Sequence, residues 1–327
     1  MSPTINRRKS LAALAALAAG GSALAQGDKP IRILVGFPPG GAADTIARVL
    51  ADKLPPLLKQ PVIVESRPGV GGRLAAQAVK AAAPDGLTYM VAPNATFVFQ
   101  HLTYPVSTLG YDMTRDFTSV ARINSYPMAM VVNAGTGARN VKDYLAWRRT
   151  AAAQPTFGTA GLGGDTHFNG LVLGKVAKVE MSVVPYRGNG PLVTDLLGGQ
   201  IMAGNMVAGD ALQHVRAGKL HYLGVYAKKR SPLLPDVPTM AEQGFDTGGD
   251  EGWMGMWAPA GLGREPLERM QSALQFVLGL PEVKELMASR YLQLADYRPG
   301  SDVDKTLAAE LAHWGPVIKA SGFTPQQ

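Results

Sequence analysis

The feature that most constrains the fold is a regular alternation of short apolar runs with longer amphipathic segments, separated by turns rich in glycine and proline. This alternation is typical of βα units and predicts an α/β protein with parallel sheets. In such sheets the helices that follow strands begin at one edge, where ligands bind. The predicted strands, in chain order, are IRILV, PVIVE, LTYMV, MAMVV, TFGTA, SVVPY, IMAGNM, YLGVY and WMGMWAP.

The length of the chain predicts two lobes, because 327 residues exceed what one hydrophobic core usually fills. The segment NSYPM and the stretch 235–250 are interpreted as two crossings between the lobes. We therefore expect residues 26–125 together with 240–327 to form one discontinuous lobe, and residues 126–239 to form the other. Two crossings leave a cleft between the lobes, which suits the enclosure of a ligand.

Residues 1–25 are predicted to be a signal peptide for export. Arg7, Arg8 and Lys9 precede the apolar run LAALAALAA, and Ala23 to Ala25 fit a cleavage site. The apolar run is far shorter than the ~20 residues that span a bilayer, so a membrane anchor is the less favoured alternative. The Arg7–Arg8 pair leaves twin-arginine export open beside the general route.

Cysteine is absent, which excludes every site or modification that needs a thiol. The chain can have no disulfide, no thiolate nucleophile, no cysteine-based zinc site and no lipid on an N-terminal cysteine. The formal net charge is +7, of which Arg7, Arg8 and Lys9 supply three, leaving a mildly basic remainder. No basic run has interleaved aromatic residues, so a nucleic-acid partner is not expected.

Signatures of catalysis and of metal binding are also missing. The chain lacks the motifs G-x-S-x-G, S-x-x-K, H-E-x-x-H and G-x-x-x-x-G-K-[ST]. Its five histidines are scattered, with no spacing typical of metal ligands. We therefore expect no catalytic residues, no metal site and no cofactor.

Three helix starts marked by glycine are the candidate ligand contacts. Gly40 and Gly41 precede a helix predicted from about Thr45, residues 158–167 run from a strand into a second helix, and residues 187–191 open a third. Each start offers free backbone N–H groups and the positive end of a helix dipole, which suit a carboxylate or a phosphate. A glycine that only closes a βα turn is an equal alternative at any one start. Three starts on one predicted sheet edge favour an anion site.

Side chains near these starts leave alternatives open. Asp44 suits either a ligand ammonium or hydroxyl, or a brace for its own loop. Asp165 and Thr166 are predicted to cap the second helix, and His167 either donates to a ligand or packs. Arg187 is either a partner for a second carboxylate or a solvated surface residue. Four aromatic residues are expected in the core rather than against a ligand: Phe97, Phe99, Trp253 and Trp257.

Several stretches, spread over nearly the whole predicted mature chain, carry a family resemblance. They are PIRILVGFPPGGAADTIAR, PVIVESRPGVGG, AAPDGLTYM, VPYRGNGPLVTDLLGGQI, AGKLHYLGVYAKKRSPLLPDVPTMAEQGF and PEVKELMAS. In this order they resemble the solute-binding proteins of tripartite tricarboxylate transporters, the Bug family of extracytoplasmic receptors. The resemblance implies a two-lobe, type II-like periplasmic-binding-protein fold that closes like a flytrap on a ligand in the cleft. It also implies a periplasmic monomer that delivers a small carboxylate to the membrane permease subunits of the transporter.

The resemblance further implies which residues bind. In this family two facing loops grip a ligand carboxylate, largely through backbone groups; here they correspond to Phe37–Asp44 and Thr159–His167. Thr96 and Asn205 fall where the family also lines its cleft. The implied ligand-binding residues are Phe37, Gly40, Gly41, Ala42, Asp44, Thr96, Thr159, Gly161, Gly164, Thr166, His167 and Asn205.

This chain departs from the family pattern at three places. NATFVFQHLTY stands where a polar or histidine-containing stretch is usual, Asn205 where an aspartate is common, and Asp250 with Glu251 where small hydroxyl residues are frequent. These changes suit an aromatic or an amine-bearing carboxylate and leave the identity of the ligand open, whether organic acid, aromatic acid or amino acid. Two alternatives are a secreted enzyme acting on a carboxylated metabolite, which the missing catalytic set disfavours, and a sensory subunit of the same fold.

Overall fold

A computed structural model describes residues 29–150 and 156–325. The predicted signal peptide lies outside these residues. The strands are β1 (Ile31–Val35), β2 (Val62–Ser66), β3 (Thr88–Pro93), β4 (Phe117–Tyr126), β5 (Met128–Asn133), β6 (Thr156–Thr159), β7 (Ser182–Pro185), β8 (Ala203–Val207), β9 (Leu220–Val225), β10 (Gly252–Pro259) and β11 (Leu294–Pro299). The α-helices are α1 (Ala42–Lys53), α2 (Pro55–Leu58), α3 (Arg73–Lys80), α4 (Asn94–Thr103), α5 (Val106–Leu109), α6 (Val141–Thr150), α7 (Asp165–Ala177), α8 (Asn189–Leu197), α9 (Ala208–Arg216), α10 (Arg264–Gly279), α11 (Pro281–Tyr291) and α12 (Gly300–Ser321).

The strands form two sheets, in agreement with the predicted α/β class. The first has the order β11-β4-β10-β3-β1-β2 and the second the order β7-β6-β8-β5-β9. The prediction of parallel sheets holds only in part, because β4, β10 and β11 pair antiparallel, as does β5 with both of its neighbours. Only the strands of true βα units, such as β1, β2 and β3, pair parallel. The strands that enter each sheet from the other, β5 and β10, run opposite to both of their neighbours.

The chain passes between the sheets at two places. Pro127 alone separates the end of β4 in the first sheet from the start of β5 in the second. The return lies between β9 and β10. Gln243 still donates a side-chain hydrogen bond to the carbonyl oxygen of Leu223 on β9, at 2.9 Å. The chain therefore leaves the second sheet after Gln243.

The first sheet is covered on both faces, which explains its continuous apolar strands. Along β1 the buried residues alternate between two cores: Ile33 belongs to one hydrophobic cluster and Leu34 to another. Helices α1, α10 and α11 supply the first cluster, and α3, α4 and α12 the second. Burial of each such aliphatic side chain contributes about 1.5–3 kcal/mol before its entropic cost. The four aromatic residues predicted for the core are each 1% exposed: Phe97, Phe99, Trp253 and Trp257.

In the two ranges that the structure describes, no helix combines the length and the apolar character needed to cross a lipid bilayer.

Candidate functional site

The loop between β1 and α1 brings a helix start to the edge of the first sheet. Gly41 is the N-cap of α1, and no side chain caps this start. Gly40 has φ +84°, a left-handed conformation that favours glycine. Because the helical turns begin at Ala42, α1 starts three residues earlier than the sequence predicts. The N–H of Ala42 therefore has no intrahelical partner at this end of the helix, and that of Gly41 makes only a long hydrogen bond, 3.4 Å, to the carbonyl oxygen of Pro38.

Asp44 holds this loop together from inside. Its side chain is 1% exposed, and its Oδ2 accepts from the backbone N–H of Gly40 at 2.9 Å. Arg48 donates to both carboxylate oxygens, at 2.8 and 3.0 Å. Burial alone would raise the pKa of Asp44, but the hydrogen bonds from Arg48 and Gly40 outweigh it and lower the pKa. Of the two alternatives for Asp44, these contacts fit the brace.

A second glycine-rich turn, residues 69–72, supports this loop from behind. A Cβ added to Gly36 would lie 2.3 Å from the Cα of Gly72, so the two backbones approach more closely than side chains permit. A Cβ on Gly72 would lie 3.4 Å from the ring of Phe37. The position of Phe37 at the edge of the sheet therefore depends on this backbone contact.

Thr96 lies on α4, and its side chain contacts the same glycine-rich turn, residues 69–72. Its Oγ1 donates to the carbonyl oxygen of Gly71 at 3.0 Å, and Nε2 of Gln100 donates to that oxygen at 2.6 Å. Thr96 is 1% exposed. The structure thus brings Thr96 and Phe37 to one turn, where the Thr96 hydroxyl positions the backbone.

The second predicted loop opens α7 at the edge of the second sheet. Thr159 ends β6, and its Oγ1 lies 2.6 Å from the Oγ1 of Thr166, with both side chains buried. The backbone N–H of Gly161 donates to the Thr159 carbonyl oxygen at 2.8 Å. Gly164 is the N-cap, so the prediction that Asp165 and Thr166 stand at the cap was wrong, although Oδ1 of Asp165 accepts from the first-turn N–H of Thr166 at 2.7 Å. Asp165 is the first helical residue.

His167 is buried and neutral in this loop. Its Nδ1 accepts from the backbone N–H of Gly163 at 3.1 Å, so the proton of the neutral ring is on Nε2. Burial lowers the pKa of His167 to about 4. Its ring centroid lies 4.9 Å from that of Phe168 and 5.1 Å from that of Phe323. These contacts fit the packing alternative.

Asn205 ties α7 to the second sheet. Its Nδ2 donates to the carbonyl oxygen of Thr166 at 3.3 Å, and its Oδ1 accepts from the hydroxyl of Tyr226 at 2.8 Å. Asn205 is buried. Its amide therefore fixes the first turn of α7, and through it the orientation of the backbone N–H groups.

The third glycine start is the first turn of α8. Gly188, with φ +105°, is the N-cap and no side chain caps the helix. The neighbouring Asn189 donates through Nδ2 to Oδ2 of Asp210 on α9, at 2.6 Å. Arg187 is exposed.

Acidic groups converge on Tyr126, the last residue of β4. Tyr126 is 2% exposed, and burial raises the pKa of its phenol. The charges of Asp165, Glu310 and Asp210 raise the Tyr126 pKa further. Asp165 and Asp210 lie on helices of the second sheet, and Glu310 lies on a helix of the first. Tyr126 is therefore close to helices of both sheets. Sequence reasoning missed this group, since Glu310 lies far along α12 and carries no local signal.

The predicted residues thus fall into two separately braced clusters. Among the described residues, no hydrogen bond or ion pair links the loop 37–44 to the loop 159–167. No grouping of three His, Asp or Glu side chains in the described ranges suits a metal ion. A surface hollow of about 480 Å³ lies at the other end of α7, lined by residues 171–181, and has no connection with these helix starts.

Comparison with known proteins identifies the group to which this architecture belongs. The profile of the tripartite tricarboxylate transporter family receptor, TctC, matches residues 46–323. The chain belongs to this family. BugT of Bordetella pertussis is 30% identical to this TctC receptor over 315 residues, which cover 95% of this chain and 94% of BugT.

Solved structures of similar proteins support the same assignment. MatC from Rhodopseudomonas palustris with bound malate has 27% identity and a TM-score of 0.79, covering 89% of this chain and 99% of MatC. Rpa4515 of R. palustris with adipate has 26% identity and a TM-score of 0.84, covering 91% of this chain and 99% of Rpa4515. The predicted family and fold class are confirmed, and this TctC receptor is a solute-binding receptor rather than an enzyme.

Proposed function

We propose that this receptor captures a small carboxylate between the two sheets and delivers it to the membrane permease of a tripartite transporter. The observation that carries the proposal is the pair of uncapped glycine helix starts, Gly41 on α1 and Gly164 on α7, at the edges of different sheets. Each presents backbone N–H groups and a positive dipole end to an anion. The malate and adipate in the similar structures support a carboxylate as that anion.

The proposed contacts are mainly backbone groups. Gly41 and Ala42 supply them on the first loop and Gly164 on the second. Gly40 and Gly161 shape these loops, since their N–H groups already donate to the Asp44 carboxylate and to the Thr159 carbonyl oxygen. Phe37 forms an apolar wall. Thr96, Thr159, Thr166 and Asn205 act chiefly by positioning these loops, since their polar atoms already have partners in the chain. His167 positions its loop through Nδ1. Asp44 has the same supporting role.

The test is calorimetry on residues 26–327, after a thermal-shift screen of mono-, di-, aromatic and amino carboxylates that includes malate and adipate. We expect at least one compound to raise the melting temperature and to bind with one site per chain, without turnover by mass spectrometry. A screen in which no carboxylate stabilises the protein, while another class of small molecule does, would overturn the proposal.

Export and the partner follow from the family and need their own tests. We propose cleavage after Ala25, a periplasmic monomer and docking to permease subunits of the transporter. The intact mass of the protein from a periplasmic extract, with its sedimentation coefficient, checks the first three claims. For the docking, deletion of the gene should abolish uptake of the radiolabelled ligand, and a growth defect with uptake unchanged would favour a sensory role instead.

A further inference from the structure

Two polar residues of α7 form a strip on the side of the helix that faces the returning chain. Asp165 and Asn169 are four residues apart and therefore lie one above the other on one helix face. The charge of Asp165 acts on Tyr126 at the crossing. The Oδ1 of Asn169 lies 2.9 Å from the position of a Cβ added to Gly249, in the segment that leads to β10. The strip thus faces both connections between the sheets.

Asn169 has no partner for its side-chain amide. It is 0% exposed, and neither Oδ1 nor Nδ2 makes a hydrogen bond in the structure. A buried amide without partners costs about 1–3 kcal/mol, so natural proteins rarely keep one that nothing satisfies. A ligand that enters beside α7 would supply the missing hydrogen bonds.

Among the residues that the structure describes, none is a cationic partner for Asp165. Its Oδ1 accepts from the backbone N–H of Thr166 at 2.7 Å. The groups that act on its pKa are burial, which raises it to about 6, and two backbone N–H groups, with no basic side chain among them. A carboxylate enclosed in this way gains more from a positive charge than one in open solvent.

The remaining charges around Tyr126 are also mostly negative. Glu310 and Asp210 act on the phenol together with Asp165, and the positive charge of Arg122 opposes them. Arg122 is shared, because its Nε lies 3.0 Å from the carboxylate of Asp296 and its charge also acts on Glu310. A ligand with carboxylates alone would meet repulsion here, whereas an ammonium group would be attracted.

An acceptor without a partner also lies beside Glu310. Nδ2 of Asn94 donates to Oε2 of Glu310 at 2.9 Å, which identifies the other amide atom as the oxygen. This buried Oδ1 has no partner. It lies beside a carboxylate, so the pair favours a ligand group that donates hydrogen bonds.

We propose that Asp165 and Asn169 bind a protonated amine, and that the ligand of this receptor is an amino carboxylate. The inference rests on the proposed function, since the ligand carboxylate is placed at the N–H groups of Gly41 and Gly164. An α-amino acid carries both charges on one carbon, and the start of α7 places helix N–H groups directly beside the Asp165 carboxylate. Asp165 then selects for the amine.

The test compares pairs of probes that differ only in the amine: L-aspartate with succinate, L-glutamate with glutarate, and L-phenylalanine with 3-phenylpropanoate. In calorimetry on residues 26–327 we expect the amino member of at least one pair to bind at least about tenfold more tightly, as a charge-assisted hydrogen bond implies. In Asp165→Asn, which keeps the acceptor for Thr166, this preference should fall by about 10–100-fold. The affinity for the partner without the amine should change far less.

Two further variants separate binding from folding. Asn169→Leu removes an amide that makes no hydrogen bond in the structure. It should therefore weaken binding of the amino member of the pair by about 3–10-fold and leave the melting temperature unchanged or higher. Asp302→Asn is the matched control, because Asp302 is also a first-turn acid, on α12, and its ion pair is with Lys305 on the same helix. Asp302→Asn should leave unchanged the affinities for the amino member and for the member without the amine.

The outcomes separate failure of the amino-carboxylate inference from failure of the proposed receptor function. Equal or tighter binding of the members without an amine, or a preference that survives in Asp165→Asn, would overturn the amino-carboxylate inference and leave the receptor function intact. If dicarboxylates bind more tightly as the pH falls towards 6, Asp165 acts as a neutral acid instead and the inference is wrong. If no member of any pair binds while malate, adipate or another carboxylate of the wider screen does, the amino-carboxylate inference fails and the receptor function stands. If no carboxylate of that screen binds, both fail.

Discussion

At the scale of single residues, Gly41 is where binding and folding are most easily separated. It has an ordinary φ of −75°, and an added Cβ would lie 3.4 Å from the carbonyl oxygen of Pro38. We expect Gly41→Asp to fold normally, because aspartate is a good N-cap. The new carboxylate would occupy the N–H groups that hold the ligand and would repel its charge, so the free energy of binding should fall by about 2–3 kcal/mol. Calorimetry measures the loss.

Gly263 offers the matched control for this prediction. It is also an uncapped N-cap in extended backbone, at the start of α10, and an added Cβ would make only ordinary contact with Pro266. Gly263→Asp should leave ligand affinity unchanged. Equal affinity of Gly41→Asp and the natural protein would remove the first loop from the site.

His167 should make the protein sensitive to acid. Its pKa is about 4 when folded, below its ordinary value of 6.5, because burial disfavours the charged ring. The unfolded chain therefore binds a proton first as the pH falls. The stabilisation that comes from keeping His167 neutral is fully present above about pH 6.5, and it is lost progressively between about pH 6.5 and pH 4.

The test measures the free energy of unfolding by urea between pH 7.5 and pH 4. His167→Asn keeps an acceptor for the N–H of Gly163 and cannot titrate. It should be less stable than the natural protein at pH 7, owing to lost ring contacts, but with a shallower decline towards pH 4. Parallel declines in the two proteins would show that other groups control the acid response.

At the scale of elements, the first loop depends on the contact between β1 and the turn 69–72. An alanine at Gly36 would force its Cβ to 2.3 Å from the backbone of Gly72, which cannot give way as a side chain can. We expect Gly36→Ala to lower the free energy of unfolding by more than about 2 kcal/mol. Denaturant unfolding provides the measurement.

Gly279→Ala is the corresponding control, since no atom lies within 4 Å of the added Cβ and Gly279 ends α10. Alanine there should leave stability unchanged or raise it by up to about 1 kcal/mol. A Gly36→Ala protein as stable as this control would show that the turn can move away freely, and the loop would then not be braced as described.

At the scale of the whole molecule, the arrangement of the sheets implies a closing motion. We propose that the lobes comprise residues 26–125 with 240–327, and residues 126–239, and that they rotate about the crossings. The hydrogen bond from Gln243 to Leu223 favours a return boundary a few residues beyond 240. One carboxylate can satisfy the helix starts of both lobes only when they meet, so the ligand binds the closed state better.

Small-angle scattering and amide exchange test this motion. With the carboxylate that binds best, the radius of gyration should decrease, and exchange should slow at residues 40–44 and 161–167 together. Slower exchange in one loop only, with no compaction at saturation, would place the site within a single lobe and contradict the closing motion.

The sequence by itself was sufficient for the class of fold, the glycine helix starts and the family. These depend on local signals: the spacing of apolar residues, and glycines such as Gly40 and Gly188 at positions with positive φ. The core positions of Trp253 and Trp257 also followed, because large aromatic side chains are rarely left in water.

Only the tertiary structure decided strand direction and the environment of the site. The antiparallel pairing of β10 with β3 and β4 depends on how the chain returns from the second sheet, which no local pattern encodes. Asn94 and Glu310 meet across 216 positions of sequence. Asp44 looked equally suited to bracing and to binding until the positions of Gly40 and Arg48 were known. The orientation of a polar side chain is set by which partners packing brings within about 3 Å, and that distance is a property of the folded chain.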